Sequence, residues 1–417
     1  MASKYHYQCN DCQADYPADK VMYLCPACKE KNVAGQPANG VLNTVYNYEE
    51  IRKGASFKDL FSSLEAERFL SLLPLKSMDP WPKLRVGNTP FYRFDQVLEK
   101  NDDLEVYLKD DSQNPTFSFK DRASALVSAW AKENGINTIV AASTGNAGSS
   151  LAGICASQEQ RSVIFVPAAA PLAKLTQIVM YGAIIIPVKG NYDMAFDLSI
   201  KATEKYGFYN RNTAYNPLTI EGKKTVSFEL FSQMGQQLPD RVFVPVGDGV
   251  ILAGVYKGFE DLLQLGIISR MPVIVAVQAE GSRNLILNYS RDTFITEPST
   301  TLADSISVDI PRNFFMAVDY LKKYKGEMIT VSDPEILRAS VQLSRKTGIF
   351  AEPAAAAAFA GLLKYSGSGR LNPGSKNIVL LTGSGLKDLK AVQSSITLPD
   401  PVDPDIDALS SVLSGLS

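Results

Sequence analysis

Short runs of β-branched and apolar residues alternate with amphipathic segments between about residue 104 and residue 381 of the chain. The runs predict strands, and the segments between them, such as residues 123–133 and 192–206, predict helices. This alternation is typical of an α/β protein. We therefore predict two open, mostly parallel sheets with flanking helices and a cleft between them. The predicted strands are residues 104–108, 138–142, 162–166, 183–188, 242–246, 272–277 and 377–381.

The composition of the 417 residues excludes several classes of protein. The formal net charge is −2, so we expect neither a nucleic acid nor a charged membrane surface as a partner. No stretch approaches the roughly 20 apolar residues that a membrane-spanning helix needs. The first residues, MASKYHYQCNDC, lack the pattern of a secretory signal. These features predict a cytoplasmic protein.

Histidine is nearly absent from the chain, because His6 is the only one and it lies near the N-terminus. A catalytic scheme that needs an internal histidine is therefore excluded. This removes the serine–histidine and cysteine–histidine hydrolases and most catalytic zinc sites. The residue that transfers protons must be of another type, and lysine is the natural candidate.

Four of the five cysteines form two Cys-x-x-Cys pairs within the first 28 residues. Their spacing suits four thiolates around one tetrahedral zinc ion, which would also supply folding energy to a segment too short for its own core. Four cysteine ligands leave no open position, so we predict a structural zinc-ribbon-like knob. A nucleic-acid-binding ribbon is the alternative, but the flanking residues are not strongly basic. The predicted ligands are Cys9, Cys12, Cys25 and Cys28.

Lys120 is the candidate reactive lysine, and it lies in the segment NPTFSFKDR at residues 114–122. A lysine between aromatic residues is usually a solvated surface residue. Here, however, Phe117 and Phe119 would supply apolar surroundings. Such surroundings lower the pKa of an ammonium group and free the amine to act as a nucleophile.

Three further segments each follow a predicted strand, where ligands of open α/β sheets bind. Residues 143–148, STGNAG, open a helix whose backbone N–H groups suit a carboxylate. Residues 246–254, VGDGVILAG, contain two glycines that let backbone N–H groups surround a phosphate, although Asp248 would repel it unless its side chain turns away. Residues 381–388, LTGSGLKD, place the hydroxyl of Thr382 at a strand end. Taken singly, each segment also fits an ordinary turn or cap.

In this order, the four segments resemble the motifs of the tryptophan-synthase-β type of pyridoxal 5'-phosphate (PLP) enzymes, also called fold type II. Within it they are most similar to the threonine synthases. Asn216-Pro217 with EGKKT at residues 221–225, and EPAA at residues 352–355, fit the same family, and some relatives also carry N-terminal cysteine knuckles. The resemblance covers roughly residues 85–390.

The resemblance implies a division of the chain into domains. A large domain would comprise residues 41–125 and 211–395, and a small domain of residues 126–210 would close the cleft. The knob would occupy residues 1–40. Residues 396–417 would form an acidic, proline-rich linker and a short C-terminal helix.

Residues 55–61 are also predicted to open an amphipathic helix.

The resemblance also implies roles for the cofactor residues. Lys120 would form a Schiff base with PLP and, once the substrate amine has displaced it, would remove the α-proton. Asn146 would bind the 3'-oxygen of the cofactor. Thr382 would face the pyridine nitrogen, where a neutral hydroxyl favours elimination and replacement over transamination. The backbone amides that would hold the cofactor phosphate belong to Gly247, Asp248, Gly249, Val250 and Ile251.

For the substrate, the resemblance implies a small amino acid. Threonine synthases convert O-phosphohomoserine and water to threonine and phosphate by β,γ-elimination and replacement. Ser143 and Thr144 would bind the substrate carboxylate. Asn212 and Thr213 begin the segment that binds the substrate phosphate in this family. Many relatives are homodimers, and the resemblance implies the same here.

Three positions depart from the family pattern. Ala147 stands where a threonine is usual. Thr219 stands where the family has a phosphate-binding arginine, after one extra residue, so a charge-assisted contact is lost. The glycine loop is shorter than usual, with Val250 where a polar residue is common. The sequence does not choose among the cations that would replace the arginine, which are Arg211, Lys223 and Lys174.

Two other functions fit the same residues. A serine or threonine dehydratase, or a cysteate-synthase-like enzyme of β-replacement, would use the same cofactor residues with a different leaving group. The loss of the arginine favours this alternative. A regulatory binding protein with a degenerate PLP fold is the second alternative, and the presence of Lys120 argues against it.

Overall fold

The computed structural model describes residues 3–20, 23–54, 60–98 and 103–407, together with residues 409 and 413. The predicted start of an amphipathic helix at residues 55–59 lies outside the described residues, as does most of the predicted C-terminal helix. Residues 397–407 of the predicted linker form neither helix nor strand.

The described residues form three sheets. Their strands are β1 (Tyr5–Cys9), β2 (Asp15–Pro17), β3 (Leu42–Tyr46), β4 (Phe91–Arg93), β5 (Glu105–Asp110), β6 (Thr138–Ala142), β7 (Arg161–Pro167), β8 (Ile184–Val188), β9 (Tyr209–Asn210), β10 (Arg241–Pro245), β11 (Val273–Ala279), β12 (Glu327–Val331) and β13 (Lys376–Leu381).

Helices of five residues or more cover the faces and ends of these sheets, and a shorter one follows β13. They are α1 (Tyr48–Lys53), α2 (Leu60–Ala66), α3 (Lys120–Glu133), α4 (Asn146–Ser157), α5 (Leu172–Met180), α6 (Tyr192–Tyr206), α7 (Leu218–Gln233), α8 (Val250–Gln264), α9 (Asn284–Asn288), α10 (Phe314–Lys323), α11 (Asp333–Thr347), α12 (Pro353–Gly367) and α13 (Leu389–Val392). Among the described helices, none combines the length and apolar character needed to cross a membrane.

A six-stranded sheet in the order β12-β11-β10-β13-β5-β4 forms the larger layer. Its strands run parallel except for β4, which pairs antiparallel with β5 at one edge. The central strand β13 has the sequence KNIVLL and is buried over its last five residues, because helices cover both faces of a parallel sheet. The two edge strands escaped prediction: β4 is three residues long, and β12 is only half-buried along most of its length.

A second sheet, in the order β8-β7-β6-β9, is parallel throughout and lies between residues 138 and 210. Its central strand β6, TIVAA, is buried at every residue. The strand β9 is only two residues long, so no periodicity could have predicted it. The two parallel sheets confirm the predicted α/β fold class.

The N-terminal knob contains a small antiparallel sheet in the order β2-β1-β3. Its third strand lies just beyond residue 40, where the knob was predicted to end. The hydroxyl of Tyr46, at the end of β3, donates a hydrogen bond to Glu221 of α7, and that of Tyr48 donates to Asp261 of α8 at 2.6 Å. These bonds attach the knob to the helices of the larger layer.

Glycines bring α3, α7 and α8 into close contact. A Cβ on Gly222 of α7 would overlap the carbonyl oxygen of Arg122 in α3, and a Cβ on Gly254 of α8 would lie 2.7 Å from that of Lys223 in α7. Side chains larger than hydrogen would force the helices apart. Because α3 and α8 begin at the carboxyl ends of strands, this packing gathers their N-termini at one place in the cleft.

Candidate active site

A pocket lies where the loops after β6, β9, β10 and β13 meet the start of α3. It contains all the predicted cofactor residues and the predicted substrate residue Thr213. The other predicted substrate residues, Ser143, Thr144 and Asn212, are not part of the lining. The described lining residues are Lys120, Asn146, Thr213, Lys223, residues 245–252, Ser305, Ile306, Glu352 and Thr382.

Lys120 is the first residue of α3 and is attached to the end of β13 through its neighbours. The N–H of Phe119 donates to the carbonyl oxygen of Thr382 at 2.9 Å, and Ser118 forms a β-bridge with Gly383. Phe119 is fully buried and can supply the apolar surroundings predicted for Lys120. Phe117 has a φ of +68° in a tight turn and is 47% exposed, so much of its side chain faces solvent instead.

The amine of Lys120 faces the pocket without a hydrogen-bond partner among the described residues. Burial is the main cause that lowers the pKa of this amine below its ordinary value. The carboxylates of Asp248 and Glu352 oppose the shift, whereas the guanidinium of Arg211 adds to it. The lowered pKa leaves more of the amine neutral and nucleophilic at a given pH.

Asn146 begins α4 and crosses the cleft to Glu352. Its side-chain nitrogen donates to the carboxylate oxygens of Glu352 at 3.1 and 3.0 Å and to the hydroxyl of Ser305 at 3.2 Å. Burial raises the pKa of Glu352, although the hydrogen bond from Asn146 and the charge of Lys120 oppose this. The contact fixes the orientation of the Asn146 amide beside the amine of Lys120.

The loop after β10 is shaped by two glycines. A Cβ on Gly247 would lie 2.9 Å from the Cα of Ile306, and Gly249 has a φ of +81°. Since α8 begins at the next residue, the unpaired N–H groups of its first turn face this loop. The carboxylate of Asp248 accepts a hydrogen bond from the N–H of Arg312 at 3.4 Å, which draws it toward the segment before α10.

Two basic side chains line this pocket and a third contacts its wall at Thr213, and within the described chain none of the three has a carboxylate partner. They are Lys120, Lys223 and Arg211. Burial lowers the pKa of Arg211 to about 10. Burial, with the charges of Arg211 and Lys120, lowers the pKa of Lys223 well below its ordinary value. Such a site favours a multiply charged anion, because only an anion compensates the buried positive charge.

These residues fit the cofactor that the resemblance implies. A glycine loop lies at the N-terminus of α8, as phosphate binding requires. Neighbouring atoms leave no room for a Cβ on Gly247 or Gly249. The free amine of Lys120 suits an aldehyde. The side chain of Thr382 lines the same pocket and offers only a neutral hydroxyl. The pocket therefore has both the nucleophile and the anion-binding end that PLP needs.

The predicted substrate residues differ in their surroundings. Asn212 is buried, with its oxygen accepting from the N–H of Ala142 at 2.8 Å and its nitrogen donating to Ser199 at 2.7 Å. Ser143 is half-buried, and its hydroxyl accepts from the N–H of Gly145 at 3.2 Å. The amide of Asn212 thus binds the backbone at the end of β6. Its role in binding the substrate stays a prediction.

One strained residue lies in the segment that carries the extra residue before Thr219. Ala214 has a φ of +63°, a value that few residues other than glycine adopt. Thr219 is fully buried, and its hydroxyl donates to the carbonyl oxygen of Asn216 at 2.7 Å. Of the three alternative cations, Lys174 forms an exposed ion pair with Asp304 at 2.8 Å.

Glu352 and Ser305 line the pocket but were not predicted as site residues. The sequence did contain a signal for Glu352. It is a lone carboxylate, and the residues that follow it are Pro353 and a run of five alanines. Burying such a charge is costly unless it has partners. Ser305 lies in a polar loop and carried no signal that sequence patterns could separate from its neighbours.

The four predicted zinc ligands lie together in the knob. All four sulfurs are within 4.8 Å of one another, with Cys9 and Cys28 at 3.8 Å and Cys12 and Cys25 at 3.7 Å. Tetrahedral zinc with bonds of about 2.3 Å places its sulfur ligands about 3.8 Å apart. The cluster therefore has the dimensions of a zinc site with four thiolates.

Comparison with known proteins places these features in a family. The family model described as "Pyridoxal-phosphate dependent enzyme" matches residues 83–383. The chain is 33% identical over 414 residues to the threonine synthase of Methanocaldococcus jannaschii, covering 98% of this chain and 99% of that protein. It is 36% identical over 340 residues to the threonine synthase of Halalkalibacterium halodurans, covering 81% of this chain and 94% of that protein.

Solved structures share the fold at lower identity. Maize serine racemase superposes with a TM-score of 0.64 at 21% identity, over 82% of this chain and 97% of that chain. The processed form of threonine deaminase isoform 2 from Solanum lycopersicum superposes with a TM-score of 0.62 at 18% identity, over 84% of this chain and 93% of that chain. At these identities the likeness extends to the fold alone.

Proposed function

The chain belongs to the family of pyridoxal-phosphate dependent enzymes, and we propose that within this family it acts as a threonine synthase. It would convert O-phosphohomoserine and water to threonine and phosphate. The observation that carries the proposal is the free amine of Lys120 in one pocket with the glycine loop at the start of α8. The choice of substrate is supported by similarity to threonine synthases over nearly the whole chain.

Lys120 would act both as the attachment point of the cofactor and as the base. When bound, PLP supplies an electron sink beside the α-carbon of an amino acid. The Nζ of Lys120 would then hold or move the proton at the substrate Cα. Its lowered pKa suits this role, because the neutral amine is the form that accepts a proton.

Asn146 and Thr382 would orient the cofactor ring. The bond from Asn146 to Glu352 holds its amide in the pocket that Lys120 also lines. With the cofactor bound, the N–H that now faces Ser305 would donate instead to the 3'-oxygen. The neutral hydroxyl of Thr382 would not keep the ring nitrogen protonated, which suits elimination and replacement. Thr382 is also the acceptor for the N–H of Phe119, so one strand end positions both the ring and the lysine.

The glycine loop would bind the cofactor phosphate through backbone N–H groups of Gly247, Gly249 and the first turn of α8, which includes Val250 and Ile251. The helix dipole adds to this attraction. Ser143 and Thr144, in the loop before α4, would bind the substrate carboxylate. Asn212 and Thr213 would lie beside the substrate phosphate.

The experiment that tests this proposal is a substrate panel with purified enzyme and added PLP. O-phosphohomoserine should yield threonine and inorganic phosphate in equal amounts. Serine and threonine should yield no appreciable ammonia or keto acid. Without threonine formation from O-phosphohomoserine, the assignment as a threonine synthase would be wrong.

A dehydratase of serine or threonine is the second candidate, and Thr219 is the observation that favours it. A threonine at this position provides no cation for a substrate phosphate, and its hydroxyl donates to the carbonyl oxygen of Asn216. In the same panel, ammonia and a keto acid from threonine, with no phosphate release from O-phosphohomoserine, would support this candidate.

Further properties belong to the same proposal. We infer that Cys9, Cys12, Cys25 and Cys28 hold a structural zinc ion, since a site with four thiolates has no open position for catalysis. The enzyme would act in the cytoplasm as a homodimer. We retain the predicted large and small domains, in which the sheet that contains β6 would form the small domain and close over the substrate. The sheet of the knob continues through β3, beyond the predicted boundary at residue 40.

A further inference from the structure

The proposed reaction needs two phosphate-binding places, one for the cofactor and one for the substrate. The glycine loop and the N-terminus of α8 provide one of them with neutral N–H donors. The family's arginine for the other is replaced by Thr219, whose buried hydroxyl is already hydrogen-bonded within the chain. A phosphate monoester carries up to two negative charges, so another cation must stabilise it.

Lys223 lies one helical turn after Thr219 on the same face of α7. Side chains four residues apart lie above one another, and each points back toward the N-terminus of the helix. The amine of Lys223 accordingly reaches the carbonyl oxygen of Thr219 at 3.0 Å. Packing of its Cβ close to Gly254 of α8 keeps the side chain directed along the pocket.

Lys223 is fully buried. Among the described residues its amine donates to the carbonyl oxygen of Thr219 and pairs with no carboxylate. Other buried lysines of this chain do have carboxylate partners: Lys109 pairs with Glu229 at 2.7 Å, and Lys257 with Asp261 at 2.6 Å. A buried cation without a counterion costs stability. A ligand anion would remove that cost.

Arg211 directly follows β9 and lies behind the pocket wall, where it contacts the lining residue Thr213. Its guanidinium donates to the hydroxyl of Ser124 at 3.1 Å, to the hydroxyl of Thr213 at 3.1 Å and to the carbonyl oxygen of Lys120 at 3.4 Å. All three acceptors are neutral, and the side chain is fully buried. Arg211 is therefore a second buried cation that is oriented without being neutralised.

We propose that Lys223 and Arg211 together bind the phosphate monoester of the substrate. They would replace the family's arginine, whose position is occupied here by Thr219. This inference rests on the proposed function and assigns its substrate-phosphate site. Thr213, which Arg211 contacts, lines the pocket from the segment 212–219 rather than from the glycine loop, and this favours the substrate over the cofactor as the source of the phosphate. Lys174 is excluded because Asp304 neutralises it at the surface.

The test compares Lys223→Gln and Arg211→Gln with Lys174→Gln in the PLP-loaded enzyme. Binding of inorganic phosphate, measured by calorimetry, should weaken roughly ten- to a hundredfold in the first two variants, the loss expected for one charge-assisted hydrogen bond. The KM for O-phosphohomoserine should rise by a similar factor. Both quantities should stay within about twofold of wild type in Lys174→Gln, whose exposed ion pair contributes little.

Two further measurements separate phosphate binding from a role in folding. Lys223→Gln should raise the thermal midpoint of the phosphate-free protein, because the unfolded chain favours the charged amine of Lys223 more than the buried site does, whereas glutamine carries no charge. Thr219→Arg in the Lys223→Gln background should recover phosphate affinity. A lower thermal midpoint for Lys223→Gln with unchanged phosphate affinity would show a structural role and overturn the inference.

The affinity for PLP, measured by titration of the apoenzyme, identifies which phosphate is bound. It should change less than about threefold in Lys223→Gln. A large loss of PLP affinity with an unchanged KM would assign Lys223 to the cofactor phosphate and overturn the inference. If phosphate binding depends on both cations but O-phosphohomoserine is not converted, the proposed function fails while the anion site stands.

Discussion

The side-chain nitrogen of Asn146 lies 3.1 and 3.0 Å from the two carboxylate oxygens of Glu352, although 206 residues separate them in the chain. Asn146 follows a strand of the four-stranded sheet, and Glu352 precedes α12, which packs on the six-stranded sheet. The contact therefore joins the two sides of the cleft beside Lys120.

Glu352→Gln tests whether this contact orients Asn146 for the cofactor. A glutamine retains the shape but replaces one acceptor oxygen with an amide donor, which would oppose the Asn146 amide. We expect the dissociation constant of PLP to rise roughly tenfold or more, as for a lost hydrogen bond to a charged group. Titration of the apoenzyme with PLP measures this. An unchanged constant would mean that Glu352 does not position Asn146.

Gly383→Ala probes the same contact from β13. A Cβ at this position would overlap the carboxylate of Glu352, with the Cδ atom only 2.6 Å away. The alanine should displace Glu352 from Asn146 and weaken PLP binding as Glu352→Gln does. Gly367→Ala is the matched control, because a Cβ there meets nothing within 4 Å. Equal PLP affinity in both glycine variants would refute the steric explanation.

Glu229→Gln tests a buried ion network that holds α3 in place. Glu229 accepts from Arg122 at 2.6 Å and from Lys109 at 2.7 Å. Burial alone would raise the pKa of Glu229, but the charges of Arg122 and Lys109 outweigh it. They lower this pKa to about 2, from an ordinary value of 4.5. Removing the carboxylate should lower the free energy of unfolding at neutral pH by about 3 kcal/mol.

The pH dependence of that effect has a definite sign. A lowered pKa means that the folded state binds the proton more weakly than the unfolded state. The stabilisation is therefore complete above about pH 4.5 and is lost as the pH falls toward about 2. Urea midpoints of wild type and Glu229→Gln should converge over this range. The exposed pair of Arg283 and Glu297 provides a control, since Glu297→Gln should change the midpoint little at any pH.

Zinc should be bound by the knob in a ratio of about one per chain. Cys25→Ser should lose it, together with thermal stability, because the metal supplies the folding energy of the small antiparallel sheet. Cys155→Ser is the control, since Cys155 is buried in α4, far along the chain from the knob. Elemental analysis of protein purified without chelator measures the ratio. A wild-type protein without zinc would contradict this prediction.

The sequence predicted the elements whose residues are buried in a regular pattern. The strand at residues 138–142 and the helix at residues 192–206 have the predicted bounds. The edge strand β12 was missed because four of its five residues are only half-buried, so its pattern is weak. The exposure of Phe117 was not predictable, because it depends on a positive φ in the turn before Lys120.

For the site, the order of the motifs and the family resemblance pointed to Lys120, Asn146 and Thr382, and all three line one pocket. Their common location agrees with the rule that ligands bind at the carboxyl ends of parallel strands. The contact of Asn146 with Glu352 was not predictable, since no local spacing relates them. The choice among Arg211, Lys223 and Lys174 also needed the fold. Only the three-dimensional arrangement shows that Lys174 has a carboxylate partner.

Covalent labelling tests most directly whether Lys120 carries the cofactor. PLP-loaded enzyme is reduced with borohydride and digested, and the labelled peptide is identified by mass spectrometry. We predict a single pyridoxyl label on Lys120, and loss of both the label and phosphate release in Lys120→Ala. A label on another lysine of the pocket, such as Lys223, or turnover retained by Lys120→Ala, would contradict the assignment.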